Sequence, residues 1–157
     1  MVLPCINSDS SYLLNLNPWY MKKTPEFFVL PIDFLPAEIE HGYGNCYVAL
    51  PKGHKYFGID YNAIPVDVHG GLTFSHLGNE LGNKYPERFR NKNFWIVGFD
   101  TCHYGDNLLT CDAGYCYKEA ESLAKQLSYC PQCFDSGLIQ TSVDDYKDCP
   151  NGCERTV

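Results

Sequence analysis

Two stretches, "VHGGLTFS" (Val68–Ser75) and "FWIVGFDTCHYGD" (Phe94–Asp106), decide how this chain is read. Phe94–Phe99 is a short apolar run, rich in aromatic and β-branched residues and bounded by polar turn residues, which is the pattern of a buried strand. "VDVHGGLTFS" alternates apolar and polar side chains and reads as a second strand. Its glycine pair implies a bulge or a close backbone approach. The intervening "HLGNELGNKYPERFRNKN" reads as a polar loop. Upstream, "EFFVLPIDFL" (Glu26–Leu35) reads as a strand broken at Pro31 or as two short edge pieces, and "NCYVALP" (Asn45–Pro51) as another strand that stops at its proline.

Downstream the period changes. Cys116, Ala120, Leu123, Ala124 and Leu127 recur at helical spacing, which predicts one helix over roughly Tyr115–Leu127, with Glu121 and Lys125 paired on its polar side. The expected fold is therefore α+β: a small antiparallel or mixed sheet, one main packed helix, and a C-terminal zinc module of four cysteines. A core domain over 1–128 and a zinc-binding module over 129–157 are the expected units.

The module rests on the cysteines. Of nine, Cys5, Cys46, Cys102, Cys111 and Cys116 are scattered and read as small buried apolar groups, with Cys102 also open to a nucleophile's role. The other four form two close pairs, "CPQC" (Cys130, Cys133) and "CPNGC" (Cys149, Cys153). Two such pairs across a short segment match a tetrahedral site of four thiolates, closed and hence structural, with zinc as the expected cofactor. Pro131 and Pro150 would stiffen each turn, and Gly152 can supply the positive φ that such a turn often needs. A pair of disulfides is the alternative.

The net charge of −7 leaves no basic footprint over the chain as a whole, so sequence-specific nucleic-acid binding is not expected. No stretch has the apolar length of a membrane span, and "MVLPCINSDSSYLLNLNPWY" lacks the pattern of a secretion signal, so the reading is a cytoplasmic chain with reduced thiols. One local exception to the acidity is the cluster around Arg88 and Arg90, read either as a solvated loop or as an edge that contacts phosphate.

"GNCYVALPKGHKYFG", "VHGGLTFS", "FWIVGFDTCHYGD" and "EAESLAKQL" together resemble a family of small uncharacterised bacteriophage proteins, over roughly Gly44–Leu127. The cysteine tail is not part of that pattern. The resemblance implies phage origin and action in the cytoplasm of a bacterial host cell. It implies no catalytic assignment.

The motif residues carry the chemistry. His69, Gly70, Gly71 and Thr73 from the first motif, with Asp100, His103 and Asp106 from the second, are the candidate ligand-binding set, to which Arg88 and Arg90 would add phosphate contacts. Two histidines with two aspartates suit a divalent metal or acid–base work on a phosphate ester, so His69, His103, Asp100 and Asp106 are also the catalytic candidates. A structural Asp–His network is the plainer alternative. The two glycines would let a ligand approach the backbone, and the twelve tyrosines offer stacking surfaces. The expected function is a phage-encoded accessory protein that sequesters a small anionic molecule, a nucleotide immune signal such as a cyclic nucleotide or an ADP-ribose derivative, as an anti-defence protein. The alternatives are a phosphodiesterase that cleaves such a nucleotide, and a zinc-containing adaptor that binds and inhibits a host protein. A homo-oligomer is left open.

Overall fold

The computed structural model describes residues 22–150, Cys153 and Arg155. Cys5, Gly152 and the N-terminal stretch 1–21 lie outside the described residues. The described chain divides into two compact units, Lys23–Tyr129 and the segment from Cys130 on.

The larger unit is a sheet of four antiparallel strands, β1 (Glu26–Pro31), β2 (Gly44–Pro51), β3 (Phe74–Leu77) and β4 (Phe94–Asp100), in the order β1-β2-β4-β3. One helix, α1 (Ala113–Gln126), follows. The α+β expectation is met, and so are strands at Glu26–Pro31, Asn45–Pro51 and Phe94–Asp100. Proline ends β1 and β2, where a missing N–H does not interrupt the ladder.

Strand alternation sorts the core into two faces. Val29, Cys46, Val48, Leu50, Val97 and Phe99 pack against Cys116, Ala120, Leu123, Ala124 and Leu127 of α1 and its C-terminal cap. Phe28, Tyr47, Ala49 and Ile96 point the other way and meet Tyr85 and Phe89. The register makes this sorting consistent across strands, since Val29 faces Cys46 and Cys46 faces Phe99. On the second face Phe28 faces Tyr47, and Tyr47 faces Gly98. A side chain at Gly98 would collide with the Cys46 carbonyl and the Tyr47 ring. The glycine in "WIVGFD" thus makes room for Tyr47, whose ring stacks on Phe28 at 5.1 Å and meets Phe74 and Tyr85 edge-on at 5.3 Å each.

Two sequence expectations need correction here. The segment Gly78–Asn93 is not merely a polar loop. Short 3-10 turns at Gly78–Glu80 and Glu87–Phe89 fold it over the sheet and carry Tyr85 and the fully buried Phe89 onto the second face. The "VDVHGGLTFS" strand starts only at Phe74, because Gly70 (φ 66°) and Gly71 (φ 81°) adopt left-handed conformations that a strand does not accommodate.

Helix α1 is capped at both ends by polar side chains. The Asp112 carboxylate accepts from the Tyr115 N–H at 2.7 Å, an N-cap. At the other end His54, buried within "GHKYFG", donates from Nε2 to the Leu127 carbonyl at 2.9 Å while its Nδ1 accepts from the Tyr56 N–H at 3.2 Å. The motif histidine His54 is therefore a helix cap. Among the described residues, no helix is long and apolar enough to cross a membrane.

The packing predicts a sharp contrast along α1. Leu123→Ala, at a fully buried position, should cost about 2–5 kcal/mol. Glu121→Ala, which loses only the exposed 3.1 Å pair with Lys125, should cost under about 0.5 kcal/mol. Urea unfolding of the two variants measures both.

Candidate functional site

Helix α1 builds the site by holding the segment before the glycine pair along one of its faces. Tyr115, Glu119 and Gln126 are spaced by four and seven residues and so share a face. Gln126 exchanges two hydrogen bonds of 2.8 Å with the backbone of Asp67. Glu119 accepts from the His69 N–H at 3.3 Å, and the Tyr115 hydroxyl lies 3.0 Å from His69 Nδ1. The chain then turns: the Gly71 N–H donates to the Val68 carbonyl at 3.0 Å, and Gly70 takes the third position, where a type II turn requires φ > 0. Thr73 resumes pairing, its N–H on the Gly98 carbonyl.

The second motif leaves β4 through two turns. Asp100 Oδ1 accepts from the Cys102 N–H at 3.0 Å, and its Oδ2 accepts from the Thr73 hydroxyl at 2.9 Å. The Asp106 N–H then closes on the His103 carbonyl at 3.0 Å with Gly105 at φ 94°. This places Asp106, only 7% exposed, under both histidines. Its Oδ2 lies 2.9 Å from His69 Nε2, 2.8 Å from the His103 N–H and 3.3 Å from His103 Nδ1. Cys111 Sγ lies 3.6 Å from its Oδ1. The imidazoles of His69 and His103 meet edge to face with centroids 5.3 Å apart. Burial by itself would raise the Asp106 pKa, but the His103 amide and the two imidazoles outweigh it and hold the carboxyl below its ordinary value.

The structure brings together His69, Gly70, His103 and Asp106. A Cβ at Gly70 would run into the His103 ring, whereas the Gly71 position is open. Thr73 and Asp100 pair with each other instead of with the histidines, beside a shallow depression of about 190 Å³ lined also by Asn45, Tyr47, Phe74 and Phe99. Arg88 and Arg90 do not join the cluster. They belong to the segment that covers the sheet face opposite α1, where Arg88 pairs with Glu26 at 3.2 Å and lies over Phe89, and Arg90 bonds Asn83 at 2.8 Å. Glu26 pairs with Ala49 and Ala49 with Ile96, four residues along β4 from Asp100, or about 13 Å at strand rise. Phosphate contacts from these arginines at the histidine cluster are thus not what the fold provides. Cys102 is exposed, and partial burial with the Asp100 and Asp106 carboxylates pushes its thiol pKa up, which disfavours the thiolate a nucleophile needs.

Sequence reading missed Tyr115, Glu119 and Cys111. The first two were readable only as helix positions, and their helical spacing from Gln126 was the available signal.

The second unit holds four cysteines in position for a metal. Their sulfurs all lie within 4.8 Å of one another, and Cys130 Sγ and Cys149 Sγ are 3.8 Å apart. A tetrahedral ion with bonds of about 2.3 Å to sulfur needs sulfur–sulfur edges of about 3.8 Å. Among the described residues, no disulfide joins any of the cysteines. Local folding explains the placement. The Phe134 and Ser136 N–H groups bond back to the Cys130 and Cys133 carbonyls, Asp135 accepts from the Cys130 N–H at 2.9 Å, and the hairpin β5 (Leu138–Gln140) and β6 (Tyr146–Asp148) leads to Cys149. Phe134 (φ 49°) and Asp135 (φ 65°) are left-handed, a conformation a bulky residue keeps only where its surroundings enforce it. Beyond the cysteines the cluster has little apolar packing, chiefly Ile139, so a bound ion would supply the cohesion.

In comparison with known proteins, the chain matches no family model, no curated protein and no solved structure.

The two glycines differ in a measurable way. Gly71→Ala should cost about 1 kcal/mol of backbone strain and leave the site intact. Gly70→Ala adds the collision with His103, so it should cost more and should shift the His103 ring resonances, which Gly71→Ala should leave in place. Thermal melts and imidazole NMR spectra of both variants check this.

Proposed function

We propose that this chain is a phage-encoded accessory protein that binds a small anionic molecule of the nucleotide class at the His69–Asp106–His103 cluster, acting in the host cytoplasm against a nucleotide immune signal. The observation that carries the reading is the meeting of two imidazoles from separate motifs on one carboxylate, beside a left-handed glycine turn. A network serving stability alone would be expected to bury both rings, but the His103 side chain stays 36% exposed and its Nε2 has no hydrogen-bond partner among the described residues. Gly71 leaves its backbone open to approach, and Tyr104, next to His103, is fully exposed and able to stack on a base.

Cleavage of the ligand is the second reading, favoured by the Asp106–His103 contact. A carboxylate that bonds one imidazole nitrogen orients the other for proton transfer. To separate the readings, the protein is incubated with a panel of cyclic and linear nucleotides and ADP-ribose derivatives, then heat-denatured, and the released molecules are identified. Sequestration returns an intact nucleotide; cleavage returns a converted one. His103→Ala should abolish either outcome, and Arg88→Glu should leave both unchanged because that side chain covers the other sheet face. No nucleotide retained or converted by the wild type would overturn the reading.

We propose further that the metal of the cysteine module is zinc and that its role is structural, since four thiolates leave no open coordination position. Elemental analysis of protein purified without chelator should find zinc, and Cys130→Ser should remove one ion per chain. Amide exchange should then rise over 130–150 while Lys23–Tyr129 keeps its protection.

A further inference from the structure

We infer that His69 Nε2, His103 Nδ1 and the Asp106 carboxylate form a second metal site, for a divalent first-row transition ion, with open positions that an anionic oxygen of the ligand can fill. This deepens the preceding reading by naming what would hold the ligand's charge.

The three ligating atoms all lie within 4.8 Å of one another, with separations of 2.9 Å from His69 and 3.3 Å from His103 to Asp106 Oδ2. Bonds of about 2.0–2.2 Å to nitrogen and oxygen imply ligand–ligand edges of about 3.0 Å in octahedral and about 3.4 Å in tetrahedral geometry. The two edges from Asp106 Oδ2 already match these dimensions, and the two imidazole nitrogens lie within 4.8 Å of each other.

Asp106 Oδ2 faces three groups at once: His69 Nε2, the His103 N–H and His103 Nδ1. One carboxylate oxygen carries two lone pairs. If both imidazole nitrogens are protonated, three donors compete for those two pairs. If His103 Nδ1 is unprotonated, its lone pair faces the carboxylate. A cation between the rings and the carboxylate uses both imidazole lone pairs and removes the conflict.

The surroundings are those of metal ligands. His69 keeps its other nitrogen on the Tyr115 hydroxyl at 3.0 Å, the kind of outer partner that sets tautomer and ring orientation. Cys111 Sγ contacts the other Asp106 oxygen at 3.6 Å. Two histidines and one carboxylate leave positions open, as catalytic and ligand-binding ions require.

An anionic ligand needs a positive partner, yet among the described residues Asp106 and Glu119 are the charged groups in contact with the two histidines, and Arg88 and Arg90 cover the opposite sheet face. A divalent ion reverses the sign of the site.

The test uses the full chain carrying one zinc per molecule in the cysteine module. A second equivalent of zinc is added, and the imidazole nitrogens are followed by NMR alongside metal content after desalting. The expected result is two zinc ions per chain, with the His69 and His103 ring signals shifted and those of His41 and His76 unmoved. Tyr115→Phe should weaken the second ion about tenfold, the usual effect of an outer partner. His103→Ala should lose the second ion and keep the first. One zinc per chain with unshifted His69 and His103 signals overturns the inference, and so does a second ion that survives His103→Ala. The wild-type spectrum decides the question even if a variant folds poorly. Zinc bound at the histidines with no nucleotide retained would sustain this site and overturn the ligand reading; nucleotide retained with no second ion would do the reverse.

Discussion

Strands β2 and β4 are apolar in both directions, and the rest of the larger unit follows from burying both sides of that pair. Cys46, Val48, Leu50, Val97 and Phe99 need one cover, and Tyr47, Ala49 and Ile96 need another. The unit has a single α-helix, which covers the first face. The second is covered by a segment of 3-10 turns that contributes two aromatic rings instead of a helix stripe. At about 25 cal/mol per Å² of apolar surface, burial of Phe89 contributes on the order of 2–3 kcal/mol to holding this segment on the sheet, and Tyr85 and Leu81 add to it.

With both faces occupied, the polar motif residues are left to the turns that connect the covers to the strands. Helix α1 then has two roles. Its apolar stripe closes the core, and its Tyr115, Glu119 and Gln126 face anchors the chain before the glycine turn. The histidine cluster is thus tied to the rigid part of the fold, although His69 and His103 both lie in turns. That arrangement suits a site, because turns tolerate exposed reactive groups and the helix limits how far they move. The acidic environment that results is the strongest constraint on what the site can take. It favours a cation over a bare anion.

Much of the architecture was legible from sequence. Runs of apolar, aromatic and β-branched residues, two of them closed by proline, marked β1, β2 and β4. The helical recurrence of Cys116, Ala120, Leu123, Ala124 and Leu127 marked both α1 and its buried side. The paired spacing of Cys130, Cys133, Cys149 and Cys153 marked the four residues whose sulfurs lie within 4.8 Å of one another. These features depend on residues close in sequence, so local chemistry determines them.

Other features were decided only when distant segments met. His54 and His69 are equally conspicuous in sequence, yet one caps α1 and the other contacts Asp106, because the carbonyl and the carboxylate that distinguish them come from elsewhere in the chain. Arg88 and Arg90 read as a phosphate edge until sheet parity put them on the face away from α1. The glycine pair was visible as a break, but whether it bent a strand or ended one depended on the φ values that the Val68–Gly71 turn imposes. Local sequence settles which residues can carry chemistry and which elements form. Packing in three dimensions decides which of them share a site, because side-chain partners separated by dozens of residues are chosen by the burial of both sheet faces and not by local propensity.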